Sequence, residues 1–86
     1  MRRQEIRLDV FGEVVSLPYD AVDELRGAAA ARAGISSRHR DLSLVLHRAL
    51  ESGHAVLTRP DVAALGALAE ERGGDFEAAA DLFRAL

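Results

Sequence analysis

The sequence predicts an α+β fold in which an N-terminal β-hairpin packs against about four amphipathic helices. Apolar residues alternate with polar residues near the N-terminus, which is typical of a half-buried strand. Further along the chain they recur at spacings of three and four, which is typical of helices. A chain of 86 residues has the size of one domain and no room for a second core, so we treat residues 1–86 as a single domain.

The hairpin is predicted over about residues 5–17, where the alternation changes phase at Gly12. A two-residue turn of type II′ at Gly12-Glu13 explains the change, because glycine occupies the first central position of such a turn. Val10 then lies opposite Val15, and the apolar side chains of both strands share one face. A single strand with a bulge at Gly12 is the alternative, and we favour the hairpin.

Two helices are predicted in the middle of the chain, over about residues 19–33 and 41–52. The first follows Pro18 and ends at Gly34, since glycine commonly terminates helices. We interpret the residues between the two helices as a connector whose serines are available to cap the second helix. The second helix carries the clearest amphipathic stripe in the chain, formed by Leu42, Val45, Leu46, Ala49 and Leu50.

The C-terminal part is predicted to contain two further helices, over about residues 60–72 and 75–86. Thr58 is a candidate N-cap of the third helix, and a pair of glycines separates that helix from the fourth. A short strand near Val56 would add a third member to the sheet, and the sequence leaves this strand open.

The residue patterns of known catalytic and metal sites are missing from the sequence. The absence of cysteine excludes disulfides, thiolate nucleophiles and cysteine-ligated metals. The three histidines, His39, His47 and His54, do not follow the short ligand spacings of zinc sites. No serine lies in a Gly-x-Ser-x-Gly motif. We therefore predict no catalytic, cofactor or metal site and no enzymatic activity.

Hydropathy gives an expectation about location. No apolar run approaches the roughly 20 residues that a membrane-spanning helix needs. The start of the sequence also lacks the apolar core and cleavage site of a secretory signal. The sequence therefore predicts a cytoplasmic protein without membrane contact.

Charge is distributed unevenly, although the net charge is only −3. Arg32, Arg38, Arg40 and Arg48 make the middle of the chain basic, whereas residues 60–86 are mainly acidic. These four arginines are candidate anion-binding residues, and a nucleic acid is one candidate partner. We favour a solvated connector whose charge is balanced by the acids of the last two helices, because no aromatic residue lies among the arginines to stack on bases.

Part of the chain resembles a ribbon-helix-helix repressor. The resemblance lies in the strand-like sequence VSLP at 15–18, the helix after it, the GISS turn at 34–37 and the second helix. It covers less than half of the chain. It implies a homodimer formed by strand pairing and DNA recognition by polar strand residues. A DNA-binding regulator that uses the arginine-rich middle is therefore the alternative function.

The leading hypothesis is a small protein-interaction or regulatory module that forms a homodimer and has no catalytic activity. Folding alone, a chain of this length buries only roughly 60% of the surface that its unfolded form exposes, so self-association would add useful cover. We expect the hairpin edge or the last helix to contact the second copy or another protein. On the last helix, the candidate partner-binding residues are Phe76, Phe83 and Leu86.

Overall fold

The computed structural model describes residues 4–85, except for the side chain of Asp75, and it confirms the α+β fold. Within these residues, three strands and four α-helices follow one another in the predicted order, and the third strand, which the sequence left open, is present. In chain order the elements are β1 (Glu5–Val10), β2 (Glu13–Pro18), α1 (Tyr19–Ala31), α2 (Ser37–Ser52), β3 (His54–Leu57), α3 (Arg59–Arg72), a 3-10 turn (Gly74–Phe76) and α4 (Glu77–Ala85).

The N-terminal strands form the predicted hairpin, and no bulge interrupts the pairing of β1 with β2. Its turn is Phe11-Gly12, with φ angles of 54° and 90°. Positive φ at both central residues is the signature of a type I′ turn. The Gly12 N–H donates to Asp9 Oδ1 at 3.1 Å, which holds the turn in this conformation.

The predicted turn at Gly12-Glu13 was wrong by one residue. Val10 lies opposite Glu13 rather than Val15, and Val15 lies opposite Leu8. Moving the turn by one residue shifts each pairing by two, so the apolar side chains still share one face. The turn lies earlier because the Asp9 carboxylate offers an acceptor to Gly12, an interaction that the alternation of apolar residues does not reveal.

The sheet has the strand order β2-β1-β3, so β1 is central and β2 and β3 are the two edges. β2 is antiparallel to β1, and β3 is parallel to it. One face of the sheet is covered by the helices and contributes the apolar side chains Ile6, Leu8, Val10, Val15, Ala55 and Leu57 to the core. The opposite face is open, and it carries the exposed Val14 and Val56.

Three helix boundaries differ from the prediction. Helix α1 ends at Ala31 rather than near residue 33, and its C-cap is Arg32 rather than Gly34, because the chain tightens there and the Arg32 N–H donates to the Ala29 oxygen at 3.0 Å. Helix α2 begins at Ser37, four residues before the predicted start at 41, because Ser36 acts as its N-cap and accepts a hydrogen bond from the His39 N–H. The predicted connector is therefore largely the first turn of α2. The segment predicted as helix 75–86 starts as a 3-10 turn and becomes α-helical only at Glu77. Its predicted end at Leu86 lies outside the described residues.

The N-cap of α3 is the one predicted. The Thr58 hydroxyl accepts a hydrogen bond from the Asp61 N–H, and the Asp61 carboxylate accepts one from the Thr58 N–H. This reciprocal arrangement gives an acceptor to each of two backbone N–H groups at the start of the helix, those of Thr58 and Asp61. It also explains why the buried Asp61 is tolerated beside the core.

The helices pack in two pairs. Helix α1 lies mainly against α2, and α4 lies mainly against α3. Two ion pairs join α1 to α3, namely Arg32 with Glu71 and Arg72 with Glu24. Within residues 4–85 the helices leave Val14 on β2 and Val56 on β3 exposed on the open face of the sheet.

Candidate interaction surface

A hydrogen bond just beyond the end of β2 shows which residues of this strand bond to β1. In an antiparallel pair, alternate residues bond to the partner strand, and the residues between them point their N–H and C=O groups the other way. The Tyr19 N–H donates to the Gln4 oxygen at 2.8 Å. Counting back from Tyr19, the odd-numbered residues of β2 are therefore the ones that bond to β1. Val14 and Ser16 therefore direct their backbone groups away from β1.

These outward groups form what we call the β2 edge, defined by the backbone of Val14 and Ser16. Among residues 4–85, no backbone group bonds to the N–H or C=O of either residue on this side. The Val14 side chain is 62% exposed, and Ser16 is exposed as well. Between Glu13 and Pro18 the strand carries neither a charge nor a proline, the residues with which proteins commonly blunt a free strand.

The edge formed by β3 is different. The Arg7 N–H donates to the Gly53 oxygen at 2.9 Å, so the backbone groups of His54 and Val56 point outward from the parallel ladder. The Ser52 hydroxyl lies 2.9 Å from the His54 oxygen and also 2.9 Å from the Arg48 oxygen of its own helix, so its one hydrogen is shared between these two acceptors. β3 is also only four residues long and lies against α2. The β3 edge is therefore short and partly closed by the chain itself.

The three predicted partner-binding residues have different surroundings. Phe76 is half-buried and lines a groove of about 330 Å³ together with Leu17 and Pro18 at the end of β2. Phe83 is buried, with 3% of its surface exposed, and belongs to the protein's own core. Leu86 lies outside the described residues. Of the two that lie within the described residues, Phe76 is close to the end of β2 and Phe83 belongs to the core, and the partner-binding role of all three stays a prediction.

The four candidate anion-binding arginines do not form one cluster. Arg32 is paired with Glu71. Arg40 and Arg48 are four residues to either side of the exposed Leu44, so the three side chains follow one outer face of α2. Arg38 leaves the helix on another side, because two residues correspond to a rotation of about 200°.

The arginines of α2 also differ from the others in their partners. Within residues 4–85, Arg38, Arg40 and Arg48 form no ion pair. Arg32, by contrast, donates two hydrogen bonds to the Glu71 carboxylate. These bonds lower the pKa of Glu71 and raise the pKa of Arg32, with a smaller contribution from the attraction of the two charges. The balance between arginines and the acids of the last two helices therefore holds for Arg32.

The histidines lie apart from one another. His39 Nδ1 lies 2.8 Å from the Ser36 hydroxyl, and His47 pairs with Glu51 on the surface of α2. In the part of the chain that the structure describes, no three histidine or acidic side chains come together as metal ligands. None of the helices within residues 4–85 has both the length and the apolar character required to cross a membrane.

Sequence reasoning missed two features of this surface. The blocking role of Ser52 depends on the chain reversal at Gly53, which has a φ of 83° and brings the hydroxyl back to β3. The contact of Arg59 with the ring of Phe11, at 4.8 Å from its centroid, joins the hairpin tip to α3. For the role of Ser52, the available signal was a serine just before a helix-ending glycine. The contact of Arg59 with Phe11 left no local signal in the sequence.

Comparison of the chain with protein-family models, with curated proteins and with solved structures gave no significant match.

Proposed function

We propose that this protein is a non-catalytic interaction module that forms a homodimer by pairing the β2 edges of two copies. The observation that carries the proposal is the row of unbonded backbone groups on Val14 and Ser16, in a strand segment without charge or proline. Such an edge is a ready template for another strand. The proposed partner is a second copy, because the edge is complementary to itself.

The proposed pairing is antiparallel, with Val14 of each copy opposite Ser16 of the other. Each of these residues has one free donor and one free acceptor, so the pairing makes about four intermolecular hydrogen bonds. Val15 then lies on the two-fold axis, and both copies use the same surface, as a symmetric dimer requires. A register shifted towards Pro18 loses a bond, since proline has no N–H.

Energetics favour a weak dimer. Each new hydrogen bond contributes roughly 0.5–1.5 kcal/mol net, while association costs about 4 kcal/mol or more in lost freedom of movement. The bonds alone therefore do little more than offset the cost. Apolar contact must supply the remainder, and the exposed Val14 and the half-buried Phe76 beside the strand end are suitably placed. We expect a dissociation constant on the order of 10–100 µM.

DNA recognition in the manner of a ribbon-helix-helix repressor is not part of this proposal. Such a repressor presents a two-stranded ribbon, whereas β2 already has β1 on its inner side. The proposed dimer has a six-stranded sheet about 24 Å wide, which is wider than the DNA major groove of about 12 Å. The DNA-binding alternative stays a prediction that depends on Arg38, Arg40 and Arg48.

Sedimentation equilibrium over a concentration series tests the homodimer. The expected result is a mass that rises from the 9.3 kDa of one chain towards twice that value. Val14→Lys places like charges on neighbouring strands across the two-fold axis, and we expect it to weaken association by about tenfold or more.

Val56→Lys is the matched control, because Val56 is 63% exposed on the same open face but belongs to β3. This variant should associate as the unmodified protein does. A protein that stays monomeric up to the highest soluble concentration would contradict the proposal, and so would equal weakening by the two lysine variants.

A further inference from the structure

Helix α3 has an unusual composition for a helix at the surface. From Val62 to Ala69 it contains no polar side chain. A helix that is apolar on every side is normally covered on every side. Helices α1, α2 and α4 cover much of it, yet Ala63 and Ala67 remain exposed. Within residues 4–85, one apolar side of α3 therefore stays uncovered.

A groove of about 440 Å³ lies along this side, and we call it the α3 groove. Phe11 of the hairpin tip and Phe83 of α4 contribute to its walls. The floor consists of residues three and four apart on α3, namely Arg59, Val62, Ala63, Gly66, Ala67 and Glu70. At 1.5 Å per residue this stripe extends for roughly 16 Å, or three helical turns.

The middle of the floor is made of small residues. Ala63, Gly66 and Ala67 have no atoms beyond Cβ, so another backbone can approach α3 closely. Helix α4 already uses such an approach, since a Cβ on Gly66 would lie 3.4 Å from the Cβ of Phe83. A straight, narrow floor three turns long fits an α-helix that lies along it.

The two ends of the α3 groove differ in charge. At the far end, Arg84 lies 3.2 Å from a Glu70 oxygen and 3.6 Å from an Asp81 oxygen, so its charge is compensated. At the near end, Arg59 has no carboxylate within ion-pair distance among residues 4–85 and lies over the Phe11 ring. Arg59 is therefore a positive charge without a carboxylate partner at the near end, whereas at the far end one arginine faces the two carboxylates of Glu70 and Asp81.

We propose that the α3 groove binds an amphipathic helix of a protein partner. The helix is about three turns long, its apolar side lies on the floor, and an acidic residue at one end of that side meets Arg59. This inference deepens the proposed function by naming the partner class, and it rests on the interaction role but not on the homodimer.

Binding of two synthetic peptides to the full chain tests the groove. Both are alanine-rich, 15 residues long and carry leucine at positions 4, 8 and 11, which form one stripe with positions 1 and 15. Both peptides have lysine at position 15, which suits the carboxylates of Glu70 and Asp81 at the far end; one peptide has glutamate at position 1, and the other has lysine there. By fluorescence anisotropy we expect the glutamate peptide to bind about tenfold more tightly than the lysine peptide, because the lysine peptide sets a like charge against Arg59.

Three protein variants assign the binding to the groove. Ala67→Glu fills the floor with a charged side chain and should abolish peptide binding, whereas Ala30→Glu changes an exposed alanine of α1 and should not. Arg59→Ala should remove most of the preference for glutamate. Failure of both peptides to bind would overturn the proposal. Equal peptide binding by Ala67→Glu and Ala30→Glu would overturn it as well, and so would a preference for glutamate that survives Arg59→Ala.

These experiments test the homodimer and the binding of a helix in the α3 groove independently of each other. Ser16→Pro, which removes the outward N–H of the β2 edge, should still bind the glutamate peptide. If Ala67→Glu lowered the sedimenting mass of the protein, a second copy would be the occupant of the α3 groove, and the proposal of a partner helix would be wrong. Circular dichroism confirms that each variant remains folded.

Discussion

The two edges of the sheet are built from similar residues but end up with different hydrogen-bonding capacity. The β2 edge offers the free backbone groups of Val14 and Ser16. At the β3 edge the oxygen of His54 shares the Ser52 hydroxyl with the oxygen of Arg48. Both strands also place an equally exposed valine on the open face. Exposure of apolar side chains therefore does not by itself mark an interface, because the edges differ in strand length, six residues against four, and in the partner that the His54 oxygen has in Ser52.

The largest expected effect comes from removing a donor of the β2 edge. Ser16→Pro deletes the outward N–H without touching the hydrogen bonds to β1, since proline is tolerated on an edge strand where its nitrogen faces solvent. We expect association to fall by more than about tenfold, because two of the proposed intermolecular bonds are lost in the dimer. Sedimentation equilibrium measures this loss.

Val56→Pro is the corresponding change on β3, where the nitrogen also points outward. It should leave the mass distribution of the protein unchanged, while thermal unfolding confirms that both proline variants are folded. If the change on β3 dissociated the dimer as well as the change on β2 does, the distinction between the edges would not hold.

A moderate effect is expected when the Ser52 hydroxyl is removed from the β3 edge. Ser52→Ala removes the hydroxyl that lies 2.9 Å from the His54 oxygen, so β3 gains a free acceptor. We expect the free energy of unfolding to fall by roughly 0.5–1.5 kcal/mol, and species larger than a dimer to appear at high concentration.

Ser43→Ala is the matched control for this change, because the Ser43 hydroxyl donates at 2.8 Å to the Arg40 oxygen within the same helix and touches no strand. Chemical unfolding and light scattering give the two readouts. Larger species in both variants, or in neither, would show that Ser52 does not protect the β3 edge.

The smallest effect concerns the ion pair between α1 and α3, which lies away from both edges. Hydrogen bonds from Arg32 lower the pKa of Glu71 below its ordinary value of 4.5. A lowered pKa means that the stabilising contribution is complete above that value and is lost as the pH falls through the pKa of the folded state. Glu71→Gln should therefore be less stable than the unmodified protein near neutral pH, with a difference that shrinks below pH 4.5.

Unfolding by denaturant at several pH values measures this difference, and Glu77→Gln at the start of α4 serves as the control. The dimer should be unaffected by either change, because neither residue belongs to the β2 edge. A difference that grows as the pH falls would contradict the assigned direction of the pKa.

The sequence was sufficient for the elements whose signals are local. The apolar stripe of α2, the Thr58 cap and the glycine pair that ends α3 lie where they were predicted, whereas α1 ends before the predicted Gly34. The turn at Phe11-Gly12 was not predictable from alternation, because a side-chain acceptor on Asp9 decides which two residues turn. The start of α2 was missed because capping by Ser36 outweighs the lack of apolar residues in the first turn.

The surface was harder to predict than the fold. Phe83 was placed on the last helix as a candidate partner-binding residue, but the sequence does not tell whether the protein's own core or another chain covers its side chain, and it is buried in the core. Whether an outward backbone group of β2 or β3 has a hydrogen-bond partner depends on which neighbour it meets in three dimensions. Periodicity contains no information about such pairings between distant segments.

Amide hydrogen exchange along β2 tests the central claim most directly. The Val15 amide bonds to β1 and should be protected at every protein concentration, whereas the Ser16 amide points outward and should become protected only as the protein dimerises. The predicted result is a Ser16 exchange rate that falls as the concentration is raised through the dissociation constant, while that of Val15 changes little. A Ser16 amide that exchanges freely at all concentrations, in a sample that sediments as a dimer, would contradict pairing through the β2 edge.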